Sequence, residues 1–498
     1  MFIGMDSGTQ GTKALALCGR TGRVLAEAYA GHDLIEGDGG RKEQDPAWWI
    51  VACTQVLGEV CAELGADKAK VRGIGVSGQQ HGFVPLDAEG QVIRPAKLWC
   101  DTETAKQCEV ITERAGGPDN VVSLIGNTVA AGFTASKILW LKDNEPANFD
   151  RLALALLPHD YINYWLTGEA KAECGDASGT AYFDVANRKW SKELVQAVDP
   201  SGKLWDCLPP LIESHEAVGV IRPELAEEFG LPKDLLVSSG GGDNMMAAIG
   251  TGNVSPGVVT ASLGTSGTIY ANAAQPVIDP QGELAAFCSS DGAWLPLVCT
   301  MNVTVATELA KDLFSFSTQE LNDAAGRSGL GAGGVTLLPY FNGERTPALP
   351  QATATLHGLT TTNYTPDNLC RAAMEGATLG LKYGLDVMAR LGVSASEIRL
   401  VGGGAKSPLW RSLVADIFNC PVVRPGQAEA GALGGALQAM WCVLSQQGGD
   451  VALKELTDQY VSLDPKGGAE PDSNNASQYA GIYESYLALD QALRSVNQ

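Results

Sequence analysis

The first thirty residues alternate short apolar runs with turn residues. "FIGMD" (2–6), "KALALC" (13–18) and, after the turn "GRTGR", "VLAEAYA" (24–30) predict the three strands of a meander. A helical period takes over in "DPAWWIVACTQVLGEVCAELG" (45–65), with Asp45 as N-cap, Pro46 in the first turn and Gly65 past the end. "VRGIGVSG" (71–78) then reads as a buried strand running into glycine. Strand, strand, strand, helix, strand is an α/β unit, and such units gather functional groups at the C-terminal ends of their strands.

The same order returns after residue 255. "GVVTASL" (257–263) and "TIYANA" (268–273) predict strands flanking the turn "GTSGT", and "AWLPLVCTM" (293–301) a third. A helix from about Val303 to Leu313 and the strand "GGVTLLPYF" (333–341) complete the echo. Beyond it the pattern predicts a long helix from about Asp367 to Leu391, the strand "EIRLVGGG" (397–404), a helix near Leu409–Phe418 and a helix in "AEAGALGGALQAMWCVLSQ" (428–446). The polar stretches "QQGGD" and "DPKGGAEPDSNNASQ" predict a surface loop before a last helix, "YAGIYESYLALDQALRSV". The expected division is an N-terminal half, 1–241, and a C-terminal half, 242–498. Each half opens with a Gly-Thr turn between two strands, "MDSGTQGT" (5–12) and "SLGTSGT" (262–268). One such turn is ordinary; two at the same station of duplicated halves read as facing jaws of a phosphate cleft.

Length and charge narrow the picture. A chain of 498 residues exceeds one compact core and predicts two or three domains. Lys+Arg 35 against Asp+Glu 57 leaves a net charge of −22, which argues against a nucleic-acid or anionic membrane partner. An anion held locally by backbone amides and a cation stays compatible with it. The start "MFIGMDSG" has no basic and apolar leader pattern, and no apolar run is read as long enough to span a bilayer. Twelve cysteines without a CxxC pair fit reduced, buried thiols in a cytoplasmic protein.

Glycine in a hairpin lets backbone N–H groups approach phosphate oxygens. Thr9, Thr12, Thr265 and Ser266 add hydroxyl donors and Lys13 a positive charge. Asp6 ends the first strand; a carboxylate beside phosphates calls for a cation between them, which makes it a Mg²⁺ ligand, direct or through water, unless it merely starts the turn. In "SSGGGDNMMAAIG" (238–250), Asp243 reads as a helix N-cap or as the general base that orients an attacking hydroxyl. Both roles can coexist, and an ordinary low pKa suffices for a base in phosphoryl transfer. "GIGVSGQQHG" (73–82) spells GxGxxG, but its glycines lie within and at the end of a strand and no helix follows, so the dinucleotide reading is rejected. Gln80 and His81 instead stand just past a strand end, where a small polyol is hydrogen-bonded, although a histidine there can also be plain core. In "LVGGGAKSPLW" (400–410), Gly403 and Gly404 leave room for a flat ring or form a simple strand-to-helix turn.

These motifs resemble those of the FGGY family of carbohydrate kinases over nearly the whole length. "MDSGTQGTK" and "SLGTSG" are similar to the family's paired phosphate loops, and "GFTASKILWLKDN" (132–144) and "ATLHGLTTTNYTPDNLCRAAME" (354–375) to its two signatures. "GQQHG" is similar to the sugar loop of the D-xylulose branch, where Met or Gln precedes His; glycerol kinases carry Arg-Glu there. The resemblance implies an α/β, actin-like ATPase fold: two ribonuclease-H-like lobes around a central cleft, with ATP and Mg²⁺ mainly on the second. It implies in-line transfer to the 5-hydroxyl of D-xylulose, a small-molecule sugar, by Asp243 as base with Asp6 on Mg²⁺. Gln80, His81, Asn244, Trp99 and Asp101 would contact sugar, and Gly8, Thr9, Gln10, Lys13, Gly264, Thr265, Ser266, Gly403 and Gly404 nucleotide. Glu103 in "LWCDTET" stands where the family often has arginine. A homodimer is compatible with the likeness. Two other readings stand beside it: a kinase for L-ribulose, gluconate, L-fuculose or glycerol, and a non-enzymatic actin-like ATP switch, which needs no counterpart of "GQQHG" with "GGGDN".

Overall fold

The computed structural model describes residues 1–496. Its first sheet has the order Ala217–Val220, Leu236–Ser238, Gly73–Gly78, Phe2–Ser7, Gly11–Leu17, Val24–Gly31. The three-strand meander is antiparallel, and Gly73–Gly78 lies parallel to Phe2–Ser7. Alternation along the strands decides which helix covers which face. Ile3, Met5, Ala14 and Ala16 pack with Ala52, Val56 and Val60 of helix Pro46–Leu64. Phe2, Leu15 and Leu17, one position out of phase, pack with Ala432, Ala436 and Leu437 of helix Ala430–Gln446. Asp45 caps the first of these helices through a hydrogen bond accepted from the Ala47 N–H, and Gly65 takes φ 55° at its end. By length and composition the segment Pro46–Lys70 is apolar enough to cross a membrane, contrary to the sequence reading. Its apolar stripe is spent on the sheet instead, and Trp49, Cys53, Val56, Leu57 and Val60 are fully buried.

The second sheet repeats the first. Its order is Leu297–Thr300, Gly267–Ala271, Val258–Leu263, Glu397–Val401, Val422–Val423, antiparallel through the meander and parallel thereafter. The counterpart of Gly73–Gly78 is therefore Glu397–Val401. Thr336–Leu338, expected in that place, pairs with Thr355–His357 in a separate two-stranded ribbon. The reason lies in the crossover: a parallel neighbour needs a connecting helix that covers the sheet. Helix Thr304–Phe314 buries only Ala306 and Thr307, whereas Pro366–Arg390 buries an unbroken run from Leu369 to Leu379 and returns the chain to the sheet.

The polar tail also departs from expectation. Leu453–Tyr460 is a helix, tied to the first sheet by a hydrogen bond from the Tyr460 hydroxyl to the Gly19 carbonyl (2.7 Å). The last helix, Ser473–Leu493, starts inside the stretch expected as loop, because Asp472 caps it by accepting from the N–H groups of Asn474 and Asn475. Between the strands ending at Ala271 and beginning at Leu297, an excursion leaves the second sheet and reaches the first half. The Asn127 side chain donates to the Ala286 carbonyl (2.6 Å) and accepts from its N–H (2.8 Å), and the Cys288 N–H donates to Ser178 Oγ (2.9 Å).

Candidate active site

Both parallel strand pairs end where the Gly-Thr hairpins turn. In the first hairpin the Gly8 N–H donates to the Gly11 carbonyl (3.0 Å), Ser7 Oγ and Thr12 Oγ1 pair at 3.0 Å, and Trp99 Nε1 donates to Thr9 Oγ1 (3.0 Å). Asp6 Oδ1 accepts from Ser77 Oγ (2.6 Å), and burial raises its carboxyl above the usual range against that hydrogen bond. Its carboxylate abuts the start of the Ala430–Gln446 helix, where a Cβ on Gly431 would come within 2.7 Å. The second hairpin is braced by the N–H groups of Val303 and Thr304 donating to the carbonyls of Thr265 and Gly264 (3.0 and 2.9 Å). Among the described residues neither the Thr265 nor the Ser266 hydroxyl is hydrogen-bonded.

Asp243 is the first residue of helix Asp243–Thr251, with Gly242 as N-cap and no side-chain cap, so the capping reading fails. The Asn244 N–H (2.7 Å) and Nδ2 (3.0 Å) both donate to Asp243 Oδ1, while Oδ2 takes no hydrogen bond among the described residues. Asn244 Nδ2 also donates to Gln80 Oε1 (2.7 Å), and Gln80 Nε2 reaches only the Met245 sulfur (3.2 Å). Burial, then the charges of Asp6 and Asp176, pushes the Asp243 carboxyl up to about 7, above the ordinary low value that would itself suffice for a base. The glycines before it are needed for space. A Cβ on Gly242 would meet Gln80 at 2.6 Å, and one on Gly240, at φ 70°, the Val76 carbonyl at 2.6 Å.

His81 has φ 61°, a conformation rare for a side-chain-bearing residue. Its ring lies 4.8 Å from Phe133 and 5.6 Å, nearly parallel, from Phe287 of the excursion. Buried Lys137 fixes the Phe133 loop by donating to the carbonyls of Ala131, Gly132 and Phe133.

The arrangement of duplicated sheets, paired hairpins and a buried carboxylate between them coincides with a family match. The N-terminal domain of the FGGY family of carbohydrate kinases matches residues 1–250, and its C-terminal domain residues 259–443. The chain belongs to this FGGY family. It is 45% identical to a xylulose kinase of Haemophilus influenzae, covering 98% of this chain and 99% of the relative, and 35% identical to one of Streptomyces coelicolor (98% and 97%). Among solved structures it is similar to a protein described as a xyloylose kinase from Brucella ovis (TM-score 0.92, 32% identity, 99% of both chains). It is also similar to a xylulose kinase from Rhodospirillum rubrum (TM-score 0.90, 28% identity, 100% and 99%). Its fold is accordingly the actin-like one, two ribonuclease-H-like lobes about a cleft.

Within this FGGY kinase the predicted residues do not all converge. Gln80, Asn244 and Asp243 are joined by hydrogen bonds, Asp6 acts on the Asp243 charge and His81 follows Gln80, whereas Trp99 binds Thr9 of the first hairpin. Lys13 is held by Glu429 at 2.5 Å, and Gln10 is exposed. Asp101 is fully buried with both oxygens occupied: Oδ2 accepts from the Lys42 N–H and Lys97 Nζ, Oδ1 from the Glu103 N–H. Glu43, Asp101 and Glu103 bring carboxylate oxygens within range of a shared cation, but Lys97 fills that role, at 3.1, 3.1 and 2.5 Å. Glu103 thus serves as an acceptor for an internal lysine. Gly403 faces open space, whereas Gly404 packs on Leu263 and Trp410. Phe133, Phe287 and Asp176 were not named as site residues; Phe133 stands inside the signature "GFTASKILWLKDN", whereas Phe287 and Asp176 come from segments with no motif.

Proposed function

We propose that this sugar kinase transfers the terminal phosphoryl group of ATP to the 5-hydroxyl of D-xylulose, with Asp243 as general base. The observation that carries the reading is the Asp243 carboxylate, buried beside Asp6, tied at Oδ1 by Asn244 and open at Oδ2. Oδ2 takes the proton of the acceptor hydroxyl as its oxygen turns on phosphorus. Phosphoryl transfer rests on positioning and electrostatics more than on covalent help from the protein. Gln80 Nε2, spent only on a sulfur, has donor capacity for a sugar hydroxyl. Phe133 and Phe287 cover the apolar face of the sugar and keep out water, which would otherwise compete as acceptor.

The hairpins offer backbone N–H groups and the free hydroxyls of Thr265 and Ser266 to the triphosphate, and Gly403 gives a flat base a floor without a side chain. The hard carboxylate oxygens at Asp6 suit Mg²⁺, held directly or through water. Bound Mg²⁺ supplies positive charge that offsets repulsion between the phosphates and the carboxylates.

Full-length likeness to proteins named xylulose kinase supports the acceptor. The alternative to exclude is another acceptor such as gluconate. Phosphorus and proton NMR of the product separate them. D-Xylulose with MgATP should give one ester whose phosphorus couples to the C5 protons. An ester at another carbon, or turnover of gluconate alone, contradicts the proposal.

A further inference from the structure

A line of buried polar groups runs inward from His81. His81 Nδ1 is sealed from solvent and has no hydrogen-bond partner among the described residues. Asp176 Oδ1, equally buried and unpartnered, lies 3.9 Å from it. Asp176 Oδ2 contacts His159 Nδ1 at 2.7 Å, and His159 Nε2 lies 3.1 Å from Asp160 Oδ1, out of line for a hydrogen bond. The Asp176 N–H is itself anchored, donating to Glu173 Oε1 at 2.6 Å. An unmet buried donor or acceptor carries a desolvation cost with nothing to offset it. Two of them face each other here at 3.9 Å, and the His81 backbone N–H also acts on the Asp176 carboxyl.

The fold brings these two side chains together deliberately close. Gly179, three residues after Asp176, leaves the space the imidazole occupies, since a Cβ there would meet Nδ1 at 1.7 Å. The aromatic rings of Phe133 and Phe287 hold the imidazole from the other sides. Burial, with the charges of Lys137 and Arg345, pushes His81 well below its usual range, so the ring is neutral with a single N–H. In a neutral imidazole, the partner of one nitrogen decides what the other can do.

We propose that Asp176 is a positioning residue for the acceptor sugar: its Oδ1 accepts the Nδ1–H of His81, so that His81 Nε2 presents a lone pair to a sugar hydroxyl. The proposal rests on the reading of His81 as a sugar contact. Burial pushes the Asp176 carboxyl up to about 8, and the 2.7 Å contact between Oδ2 and His159 Nδ1 itself calls for a hydrogen between those two atoms. Whichever side of that contact carries it, Oδ1 remains an acceptor. His159, through Oδ2, and Glu173, through the backbone N–H, hold Asp176 from behind.

Nitrogen-15 spectra of the imidazoles in the wild-type protein test the tautomer, with the His81 signals identified by their loss in His81→Gln. The expected result is a protonated Nδ1 and an unprotonated Nε2 whose resonance moves when D-xylulose is added; a proton on Nε2 overturns the proposal. Kinetics give the second arm. Asp176→Leu should raise KM for D-xylulose roughly tenfold, the loss of about one hydrogen bond, with nucleotide Kd unchanged. Asp176→Asn, whose amide oxygen takes the same N–H, should recover most of that loss. Equal losses in both variants, or none in either, contradict the proposal; if Asp176→Leu does not fold, the wild-type spectra decide. Should His81→Gln itself leave KM for D-xylulose untouched, the reading of His81 as a sugar contact fails instead.

Discussion

Two hydrogen bonds on Oδ1 of Asp243 fix the carboxylate plane and leave Oδ2 to the cleft. Replacing it by asparagine keeps the shape and removes the base, so Asp243→Asn should lower kcat by about 10²–10⁴-fold while nucleotide Kd, measured by calorimetry, stays the same. The same residue costs stability. Its carboxyl titrates near 3.8 when unfolded and about 7 in the folded protein without metal or nucleotide, so between those values the folded state binds more protons and stability falls as pH rises. Asp243→Asn lacks that group. Its Tm advantage over wild type should therefore grow from about pH 4 to pH 7 and level off above; an advantage independent of pH would remove burial as the cause of the shift. Gly403 tests the nucleotide floor: its backbone is ordinary right-handed helical and nothing lies within 4 Å of a Cβ. Gly403→Val should raise KM for ATP without changing Tm or KM for the sugar, and a normal KM for ATP would place the base elsewhere. At this scale the sequence exposed residues sharing a short motif, such as Gln80 with His81 and Asp243 with Asn244. It hid Asp176 and Phe287, and the role of Phe133 inside its signature stretch, because only tertiary packing brings them to His81.

Helices Asp243–Thr251 and Ala430–Gln446 link the halves and cross at glycines. A Cβ on Gly434 would meet the Met246 carbonyl at 1.8 Å, a backbone contact that no side-chain rotation relieves. Gly434→Val should therefore destabilise by about 1–3 kcal/mol or more, read as a fall in the urea midpoint. Gly481, exposed in the last helix with nothing near its Cβ position, supplies the control. Gly481→Ala should raise stability by roughly 0.5–1 kcal/mol. If both glycines tolerated substitution equally, the crossing would not be a tight joint. Strand and helix identities were largely legible, since period and caps are local properties. What misled was context: "GGVTLLPYF" has strand composition but lacks the covering helix that would bring it into the sheet, and the polar "DSNNASQ" conceals a capped helix start.

Across the whole molecule, a net charge of −22 is compatible with the proposed triphosphate site, because the groups proposed to bind there are backbone amides and hydroxyls rather than a basic surface. The duplication was visible as two Gly-Thr hairpins, and the paired sheets extend it to five matching strands in matching order. The excursion that carries Phe287 from the second sheet to His81 of the first was not, since nothing in its composition announces a destination. It makes the acceptor pocket a joint product of both halves, so phosphoryl transfer should wait for sugar. ADP release is the direct measure, with MgATP and, in turn, no acceptor, D-xylulose, L-ribulose, gluconate, L-fuculose and glycerol. The account predicts negligible release without sugar and the highest kcat/KM for D-xylulose. ATP turnover indifferent to every sugar, as in an actin-like switch, or a clear preference for another acceptor, would contradict it.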